Sequence, residues 1–494
     1  MSAMPLTIHS VAQVREMDRY AIEQLGVPGF TLMTRAGEAA LAALQVAWPM
    51  AEKVLIVCGN GNNAGDGYVL ARMARAVHLD VTVLASENPA GLKGDALTAY
   101  LAFTAAGGRA NQWTADASLA ADVIVDALFG TGLSRDLDES WCKRIAAVNA
   151  AGAPILSIDV PSGIDAQTGQ VRGAAIRADR TIVLGGLKIG LYQGAGQDCA
   201  GTIVFDDLSL PKEVAERVGH VAERIDTPLL RAALPQRRRA AHKGDYGHVL
   251  VLAGGLGMAG AARLAGEACL RSGAGRVTVA TRAANVAAIT AVRPELMTCA
   301  VESTEDLGPL LKKIDLIAIG PGLGQDAWAQ SVFAAAMGAG KPLVVDADAL
   351  HLVATSGVFR EDWILTPHPG EAARLLGTTT ALIQADRVAA ARKLADRYGG
   401  IAVLKGAGTL VYRSGAVPQV CDYGNPGMAT AGMGDVLTGV IAGMVAQTPD
   451  LWTAARAGVL VHAMAGDAAA RRGERGLLAS DVIAHLAACV NPTR

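Results

Sequence analysis

The run Asn425-Pro-Gly-Met-Ala-Thr-Ala-Gly-Met-Gly-Asp435 combines residue types that could handle a phosphoryl group. Gly432 and Gly434 have no Cβ atom, so the backbone there could approach an anion closely. A helical pattern that begins near Asp435 would point its free N–H groups at the same place. A carboxylate beside such an anion site is costly unless it has a role. The usual role is to accept a proton from a hydroxyl that meets a phosphoryl group, and we expect this of Asp435.

Further loops of the C-terminal half place glycines or polar side chains where strands end or helices begin. They are Gly254-Gly-Leu-Gly-Met-Ala-Gly-Ala-Ala262, Gly320-Pro-Gly-Leu-Gly324, Asp346-Ala-Asp348, Thr366-Pro-His-Pro-Gly-Glu371 and Lys405-Gly-Ala-Gly-Thr409. Each could by itself be an ordinary turn, cap or hairpin. Because they occur together with one glycine–aspartate run, we interpret them as parts of a ligand site. The patterns of P-loop proteins and protein kinases are absent from the sequence, which disfavours those classes.

The N-terminal half contains its own polar loops, and each follows an apolar run. They are Gly59-Asn-Gly-Asn-Asn-Ala-Gly-Asp-Gly67, Asp126-Ala-Leu-Phe-Gly-Thr-Gly-Leu-Ser-Arg135 and Ser157-Ile-Asp-Val-Pro-Ser-Gly-Ile-Asp165. The first could be a tight turn with a helix cap, and the last a plain strand-to-loop turn. Lys188 could contribute to the same site or lie on the surface. Several polar strand ends in one predicted sheet favour a second ligand site.

The elements that must position these loops alternate between strands and helices. Short apolar runs at 54–59, 81–85, 122–128, 154–160 and 181–185 predict buried parallel strands, with a helix at 64–77. The alternation predicts a doubly wound sheet whose ligands gather at the carboxyl ends of the strands. In the second half we predict a helix at 259–272 and strands at 248–253, 276–280, 315–319, 342–346, 363–366, 401–405 and 409–413. Both halves are therefore expected to be α/β.

Length and composition bound the remaining possibilities. A chain of 494 residues predicts two domains, which we place at 1–215 and 225–494. Prolines and charges at 208–247 indicate a linker, in which Arg237-Arg-Arg239 is expected to be solvated surface. A net charge of −2 argues against a nucleic-acid partner, and no apolar stretch is long enough to span a membrane. The 7 scattered cysteines and the absence of a signal-peptide pattern predict a cytoplasmic protein.

Over roughly residues 1–210, these motifs resemble the NAD(P)H-hydrate epimerase domain, which implies a Rossmann-like fold. By motif, the resemblance implies a K⁺ ion held by Asn63, Asp126 and Ser162, whose hard oxygen donors suit an alkali cation. It also implies that Asp159 contacts the substrate, and we expect this carboxylate to relay a catalytic proton. The other substrate contacts that it implies are Asn62, Asn63, Ala64, Gly65, Asp66, Gly130, Thr131, Gly132, Leu133, Ser134, Arg135 and Asp136.

The second half resembles the ribokinase-like superfamily and, more closely, its ADP-dependent NAD(P)H-hydrate dehydratase branch, over about residues 225–490. His242-Lys-Gly-Asp-Tyr-Gly-His248 belongs to the set of motifs that carries this resemblance. The resemblance implies Mg²⁺ and ADP, with the nucleotide contacting Lys405, Gly406, Ala407, Gly408, Thr409 and Gly434. It implies that the hydrated substrate contacts Ala262, Gly322 or its neighbour Gly324, His368 and Asp435.

Together the resemblances imply repair of hydrated NADH and NADPH, called NADHX and NADPHX. The first domain is expected to interconvert the R and S hydrates. The second is expected to dehydrate the S form with ADP, giving NAD(P)H, AMP and phosphate. Two alternatives stay open: the C-terminal half could be a small-molecule kinase, and the N-terminal half only a dinucleotide-binding module. A homo-oligomer is expected from the resemblance alone.

Overall fold

A computed structural model describes residues 2–448 and 450–491. The chain divides into two compact units, Met1–Glu223 and Arg224–Arg494, and each unit contains its own buried apolar clusters. The division falls within the predicted linker. That segment is not uniformly irregular, because it contains a helix at Lys212–Val218 and a strand at Ala222–Arg224.

The first unit is an α/β unit with mainly parallel strands. Its strands are β1 (Thr7–His9), β2 (Lys53–Cys58), β3 (Asp80–Ala85), β4 (Ala110–Gln112), β5 (Val123–Ala127), β6 (Ile155–Ile158), β7 (Arg180–Leu184), β8 (Leu187–Lys188), β9 (Thr202–Asp206) and β10 (Ala222–Arg224), whose last residue lies beyond the unit. Its helices are α1 (Val11–Glu23), α2 (Gly29–Ala47), α3 (Asn62–Ala76), α4 (Gly94–Ala105), α5 (Glu139–Asn149), α6 (Ala195–Ala200) and α7 (Lys212–Val218). Short 3₁₀ helices occur at Pro89–Gly91 and Ile189–Tyr192.

The main sheet of this unit has the order β4-β3-β2-β5-β6-β7-β9, with parallel neighbours throughout. The sequence of β2 is continuously apolar because both faces of the strand are buried. Val54 and Ile56 join one apolar cluster, and Leu55 and Val57 join another on the opposite face. The strand order reverses between β2 and β5, where a crevice opens in such sheets. The predicted doubly wound sheet is confirmed.

The second unit contains a longer series of strands and helices. Its strands are β11 (His248–Leu252), β12 (Arg276–Thr281), β13 (Met297–Ala300), β14 (Leu316–Ile319), β15 (Leu343–Val345), β16 (Trp363–Leu365), β17 (Ile401–Leu404), β18 (Thr409–Arg413) and β19 (Gln419–Cys421). Its helices are α8 (Pro228–Ala233), α9 (Ala259–Arg271), α10 (Ala283–Val292), α11 (Gly308–Leu311), α12 (Ala327–Met337), α13 (Ala347–Ser356), α14 (Pro369–Leu376), α15 (Thr380–Ala385), α16 (Arg387–Tyr398), α17 (Met433–Val445), α18 (Leu451–Ala469) and α19 (Ala479–Cys489). Short 3₁₀ helices occur at Lys243–Tyr246, Pro426–Met428 and Ala470–Arg472.

The strands of this unit follow the order β13-β12-β11-β14-β15-β16-β17-β18-β19. Strands β11–β17 are parallel to their neighbours, and β17, β18 and β19 continue as an antiparallel meander. The order reverses between β11 and β14, so a second crevice is expected there. Helix α17 packs closely on α9, because a Cβ at Gly439 would lie only 2.1 Å from the carbonyl oxygen of Ala265. The predicted α/β architecture is confirmed.

A cavity of about 870 Å³ lies where four helices of the second unit end. Residues that follow or cap α8, α9, α17 and α19 line it, together with Arg231, Arg237 and Arg271. Arg237 lies over the Tyr246 ring, 3.7 Å from its centre, and donates to Gln447 Oε1 at 2.7 Å. Helix C-termini carry partial negative charge, which these cations complement. The run Arg237-Arg-Arg239 is exposed, as predicted, and Arg237 is in addition held in place by these contacts.

Helix α17 begins slightly earlier than the sequence pattern indicated, at Met433, so Asp435 lies in its first turn. No helix among residues 2–448 and 450–491 is long and apolar enough to cross a bilayer.

Candidate functional site

In the second unit, the loops after β15 and β17 meet at the N-terminus of α17. Gly432 caps this helix with a φ of 87°, a left-handed conformation that favours glycine. A Cβ at Gly434 would lie 3.3 Å from Lys405 Nζ and 3.4 Å from Asp346 Oδ2. The free amides of the helix, the Lys405 ammonium and two carboxylates therefore converge, which is the arrangement predicted around Asp435.

The electrostatic environment of Asp435 disfavours its charged form. Burial, and then the neighbouring carboxylate of Asp346, raise the pKa of the partly buried Asp435 to about 6, while Lys405 opposes the shift. A carboxylate with such a pKa is ionised at neutral pH yet remains a better proton acceptor than an ordinary aspartate. These are the properties of a general base.

A buried ion pair holds this arrangement together. Asp346 is 1 % exposed; it accepts from Lys405 Nζ at 2.5 Å and from the Thr438 hydroxyl at 2.7 Å. Lys405 Nζ also lies 3.7 Å from Glu371. Burial opposes the charge on Lys405, but Asp346 and Glu371 outweigh it and raise its pKa. Thr438 was missed in the sequence, although it lies three residues after Asp435 and hence on the same side of a helix.

His368 caps the helix that follows it. Its Nδ1 accepts from the Gly370 amide at 3.0 Å, and Glu371 in return accepts from the His368 amide at 2.7 Å. This reciprocal capping fixes the imidazole ring, and the acceptor role of Nδ1 leaves the proton on Nε2. The side chain is 56 % exposed, so one edge of an oriented donor remains accessible.

The glycine turns of the second unit line the same crevice from the β11 and β14 side. Gly322 and Gly324 have φ values of 55° and 82°, and the Gly324 amide donates to Asp348 Oδ2 at 2.8 Å. Ala262 is fully buried, and a Cβ at Gly254 would lie 3.0 Å from its methyl group. The structure therefore leaves no exposed surface of Ala262 in the crevice, in contrast to the substrate contact predicted for it.

The Lys405–Thr409 segment forms the turn between β17 and β18. Gly406 and Gly408 have φ values of 126° and 62°, which only glycine adopts readily. The Thr409 hydroxyl donates to the Gly406 carbonyl at 2.9 Å. The turn is short and lies at the strand ends that border the crevice.

In the first unit, Asn63 lies where α3 begins and is only 7 % exposed. Within the described part of the chain, neither its Oδ1 nor its Nδ2 has a hydrogen-bond partner. Buried amides are normally paired, so this one is prepared for a ligand. A Cβ at Gly130 would lie 3.6 Å from Asn63 Cγ and 3.7 Å from Asp159 Oδ2. Asn63, Gly130 and Asp159 thus surround one space.

Asp126 and Ser162 are both fully buried and in direct contact. Asp126 accepts from the Ser162 hydroxyl at 2.5 Å, from the Ser162 amide at 2.8 Å and from the Ser157 hydroxyl at 2.8 Å. Burial raises the pKa of Asp126 despite these bonds. No basic side chain forms an ion pair with Asp126 in the described residues. These residues therefore supply no positive charge to compensate the Asp126 carboxylate, and a cation bound from solution could do so.

Asp159 directly follows β6 and has a φ of 70°, which is unusual for a residue other than glycine. Its Oδ1 accepts a hydrogen bond from Lys188, whose side chain is 1 % exposed and also donates to the Leu184 carbonyl at 2.7 Å. The structure thus resolves the role of Lys188, which is a buried partner of Asp159 and not a surface lysine.

Two further carboxylates share this environment. Burial, and then Asp159 and Asp18, raise the pKa of Asp66 well above its ordinary value, with Lys188 opposing. Burial also raises the pKa of Asp18 to about 6. Asp18 lies in α1 and was missed in the sequence, where an acid in an ordinary amphipathic helix gives no signal. The site therefore contains two carboxylates, Asp66 and Asp18, whose protonated forms are favoured by burial.

The remaining predicted substrate residues lie at the start of α3 and in the Gly130–Asp136 loop. Asn62 is exposed at the first position of α3, whereas Ala64 and Gly65 are buried in its first turn. The Gly130–Asp136 loop contains neither helix nor strand, and Gly132, Ser134, Arg135 and Asp136 are exposed. Its attachments include a hydrogen bond from Arg15 to the Thr131 carbonyl at 2.9 Å and a 3.7 Å contact between Asp136 and Arg172.

Comparisons with known proteins match both units. The family described as NAD(P)H-hydrate dehydratase matches residues 249–487, and the family described as YjeF-related protein N-terminus matches residues 29–190. A ribokinase-like superfamily protein from Enterococcus faecalis is 31 % identical, with a TM-score of 0.51 over 54 % of this chain and 94 % of that one. A protein of Streptococcus mutans is similar at 32 % identity, with a TM-score of 0.51 over 54 % and 98 % of the two chains.

Relatives that match nearly the whole chain are named as bifunctional enzymes. A bifunctional NAD(P)H-hydrate repair enzyme of Coxiella burnetii is 46 % identical over 97 % of this chain and 98 % of its own length. The enzyme of the same name from Escherichia coli is 43 % identical over 99 % of this chain and 95 % of its own length. The two α/β units, the Asp435 site and these similarities agree: the chain belongs to the family of bifunctional NAD(P)H-hydrate repair enzymes.

Proposed function

We propose that residues 1–215 epimerise the R and S hydrates of NADH and NADPH, and that residues 225–494 dehydrate the S hydrate with ADP. The observation that carries the proposal is the position of Asp435 in the first turn of α17, beside Gly434, Lys405 and Asp346. A base, a cation and free helix amides at one point are suited to phosphoryl transfer.

The chemistry proposed for the second unit follows from the poor leaving group of the hydrated substrate. Hydroxide leaves a neutral carbinol poorly. Asp435 removes the proton of the substrate hydroxyl, and the oxygen attacks the terminal phosphorus of ADP, releasing AMP. The ring nitrogen then contributes its lone pair as the C–O bond breaks, and phosphate leaves with both electrons of that bond. Loss of the adjacent C–H proton restores the dihydronicotinamide ring.

The groups around Asp435 have complementary roles in this step. The α17 amides at Gly434 and Asp435 stabilise negative charge on the transferred phosphoryl group, and Lys405 adds a fixed positive charge. The Lys405–Thr409 turn contacts the nucleotide, and the exposed edge of His368 contacts the hydrated substrate together with the Gly322–Gly324 turn.

Mg²⁺ fits this site as an ion carried mainly by the nucleotide. The described residues contain no group of three or more His, Cys, Asp or Glu side chains that could hold a metal. Mg²⁺ usually binds through phosphates, waters and one or two carboxylates, so such a cage is not needed. Glu371 and Asp348 are the flanking carboxylates that would complete its shell, and the ion would neutralise phosphate charge.

In the first unit, Asp159 and Asp66 divide the proton transfers of epimerisation. Asp66, whose raised pKa favours its protonated form, donates a proton to the substrate hydroxyl, which leaves as water while the ring nitrogen lone pair forms a C=N bond. Water then adds to the other face of that carbon, and Asp159, paired with Lys188, accepts its proton. The lone pair returns to the ring nitrogen, which gives the second epimer.

A K⁺ ion at Asn63, Asp126 and Ser162 supports this site. The unpaired Asn63 Oδ1 and the buried Asp126 carboxylate supply hard oxygen ligands, which suit an alkali cation. The ion would compensate the buried charge of Asp126 and hold the Asn62–Asp66 segment against the Gly130 loop. A cytoplasmic location and a homo-oligomeric state stay predictions.

The test is recovery of NADH absorbance from a mixture of R and S hydrates with Mg²⁺, K⁺ and either ADP or ATP. Full recovery with ADP is expected, because the R hydrate must first be epimerised. An Asp159→Asn variant should recover only the S fraction rapidly, whereas Asp435→Asn should recover neither. Net transfer of phosphate to a stable product, without NADH, would instead identify a small-molecule kinase.

A further inference from the structure

Arg387 is a buried cation in an unexpected place. It is the first residue of α16 and is only 2 % exposed. The N-terminus of a helix carries partial positive charge and therefore disfavours a cation. No carboxylate forms an ion pair with Arg387 among the described residues. Burying an unpaired charge is costly, and the hydrogen bonds that this guanidinium makes through Nη1 and Nη2 offset part of the cost, whereas its Nε has no partner among the described residues.

The guanidinium binds carbonyl groups on both sides of the turn between β17 and β18. Its Nη2 donates to the carbonyls of Leu404, Lys405 and Gly408 at 3.3, 3.2 and 3.4 Å. Its Nη1 donates to Gln384 Oε1 at 2.9 Å. The guanidinium of Arg387 thus links the two ends of the Lys405–Thr409 turn through hydrogen bonds.

These bonds also orient the amides of the turn. In a trans peptide the carbonyl and the following N–H point in opposite directions. Holding the Lys405 carbonyl towards Arg387 therefore turns the Gly406 amide away from it. The bond from the Thr409 hydroxyl to the Gly406 carbonyl fixes the Ala407 amide in the same way. Neither amide donates to another group within the described part of the chain.

Gly406 allows the cation to come this close. Its φ is 126°, and a Cβ there would lie 3.2 Å from Arg387 Nη1. The close contact between the arginine and the turn therefore depends on glycine at position 406. A turn of this composition without the guanidinium would have several backbone conformations available.

We propose that Arg387 is a positioning residue for the nucleoside diphosphate: it holds the carbonyls of the Lys405–Thr409 turn so that the Gly406 and Ala407 amides face the nucleotide. The inference rests on the proposed function, in which this turn contacts ADP. Arg387 does not touch the nucleotide itself. Its effect is to make the binding conformation of the turn the dominant one before ADP arrives.

The test compares Arg387→Lys with Arg392→Lys, an exposed arginine on the same helix. Lysine keeps the charge, but its side chain is one bond shorter than the path to Arg387 Nη2, so its ammonium should not reach the three carbonyls that Nη2 contacts. We measure the Kd for ADP by calorimetry without hydrate, together with KM and kcat in the NADH recovery assay. For Arg387→Lys we expect the Kd and KM for ADP to rise about tenfold or more, since hydrogen bonds to a charged group are lost. The kcat at saturating ADP and the KM for the hydrate should change little, and Arg392→Lys should match the wild type.

Two outcomes would overturn the inference: an unchanged Kd for ADP in folded Arg387→Lys, or a loss confined to kcat. Gly406→Ala provides a second variant if Arg387→Lys does not fold, because it disturbs the same contact from the turn. It should weaken ADP binding with little effect on the KM for the hydrate, and an unchanged Kd for ADP would again contradict the inference. If the wild-type protein binds ADP but does not dehydrate the hydrate, the proposed function is refuted. The Kd for ADP of wild type and Arg387→Lys would still test the role of Arg387.

Discussion

Replacing Asp435 with asparagine should nearly abolish dehydration and make the second unit more stable. The environment of Asp435 raises its pKa from 3.8 to about 6, so the folded protein binds this proton more tightly than the unfolded chain. At 1.36 kcal/mol per pH unit, the ionised carboxylate costs the folded state about 3 kcal/mol at neutral pH. Asparagine has a similar shape and no charge, so Asp435→Asn removes that cost. Loss of a general base should slow dehydration by about 10²–10⁴-fold.

The sign of the pH dependence follows from the raised pKa. The cost is fully present above about pH 6, shrinks as the pH falls, and is absent below the unfolded value of 3.8. The stability advantage of Asp435→Asn should therefore fall from about 3 kcal/mol at neutral pH to about 1 kcal/mol near pH 4.5. The asparagine amide needs its own hydrogen bonds, so 3 kcal/mol is about the upper limit of the gain.

Urea unfolding, followed by hydrogen exchange in β11 and β14, measures the stability of the second unit alone. Glu361→Gln, which neutralises an exposed carboxylate of the same unit, is the matched control and should change little. An Asp435→Asn protein that is inactive but no more stable than wild type at neutral pH would refute the electrostatic reasoning. So would a stability gain that does not depend on pH.

Three other perturbations follow from the two sites. Asp346→Asn should destabilise the second unit by about 3 kcal/mol, because it leaves Lys405 buried without its main carboxylate partner; Asp348→Asn, which keeps an oxygen that can accept from the Gly324 amide, should cost about 1 kcal/mol or less in the same urea experiment. The kcat/KM for dehydration should fall about tenfold per pH unit below about pH 6, as Asp435 becomes protonated; a flat profile down to pH 5 would contradict its role as base. Asn63→Leu should remove the K⁺ dependence of epimerisation and leave dehydration unchanged; an epimerase that still responds to K⁺ would place the ion elsewhere.

The fold could be predicted because each half is locally consistent. Apolar strand runs, intervening helices and polar strand ends all indicated the same architecture, and the observed strands agree with the predicted ranges to within a few residues. Several strands were not predicted: β1, β4, β8, β9, β10, β13 and β19. Apart from β9 they have two to four residues each, too few for a clear alternating or continuous apolar pattern, and β1 pairs with β8 and β10, which lie far from it in the sequence.

The candidate sites could be predicted only as far as glycines and polar loops mark them. Gly434, Lys405 and Asp435 lie in such loops, and the structure brings them together. Arg387 gives no such signal, because an arginine in a helical stretch is usually an exposed side chain. Its role depends on the packing of α16 beneath the turn, which a single sequence does not specify. The buried state of Lys188 has the same origin.

The left-handed backbone at Asp159 limits which amino acids can occupy this position without strain. Aspartate, asparagine and glycine adopt such a conformation at low cost, whereas most other residues would pay roughly 1–2 kcal/mol. Exchange for glutamate would combine that cost with a displaced carboxylate. The genetic code allows asparagine and glycine from an aspartate codon in a single base change, but both lack the acid. Under the proton-transfer role proposed for Asp159, a single base change can therefore remove the carboxylate, and the residue at this position would indicate whether a related first unit keeps the proposed activity.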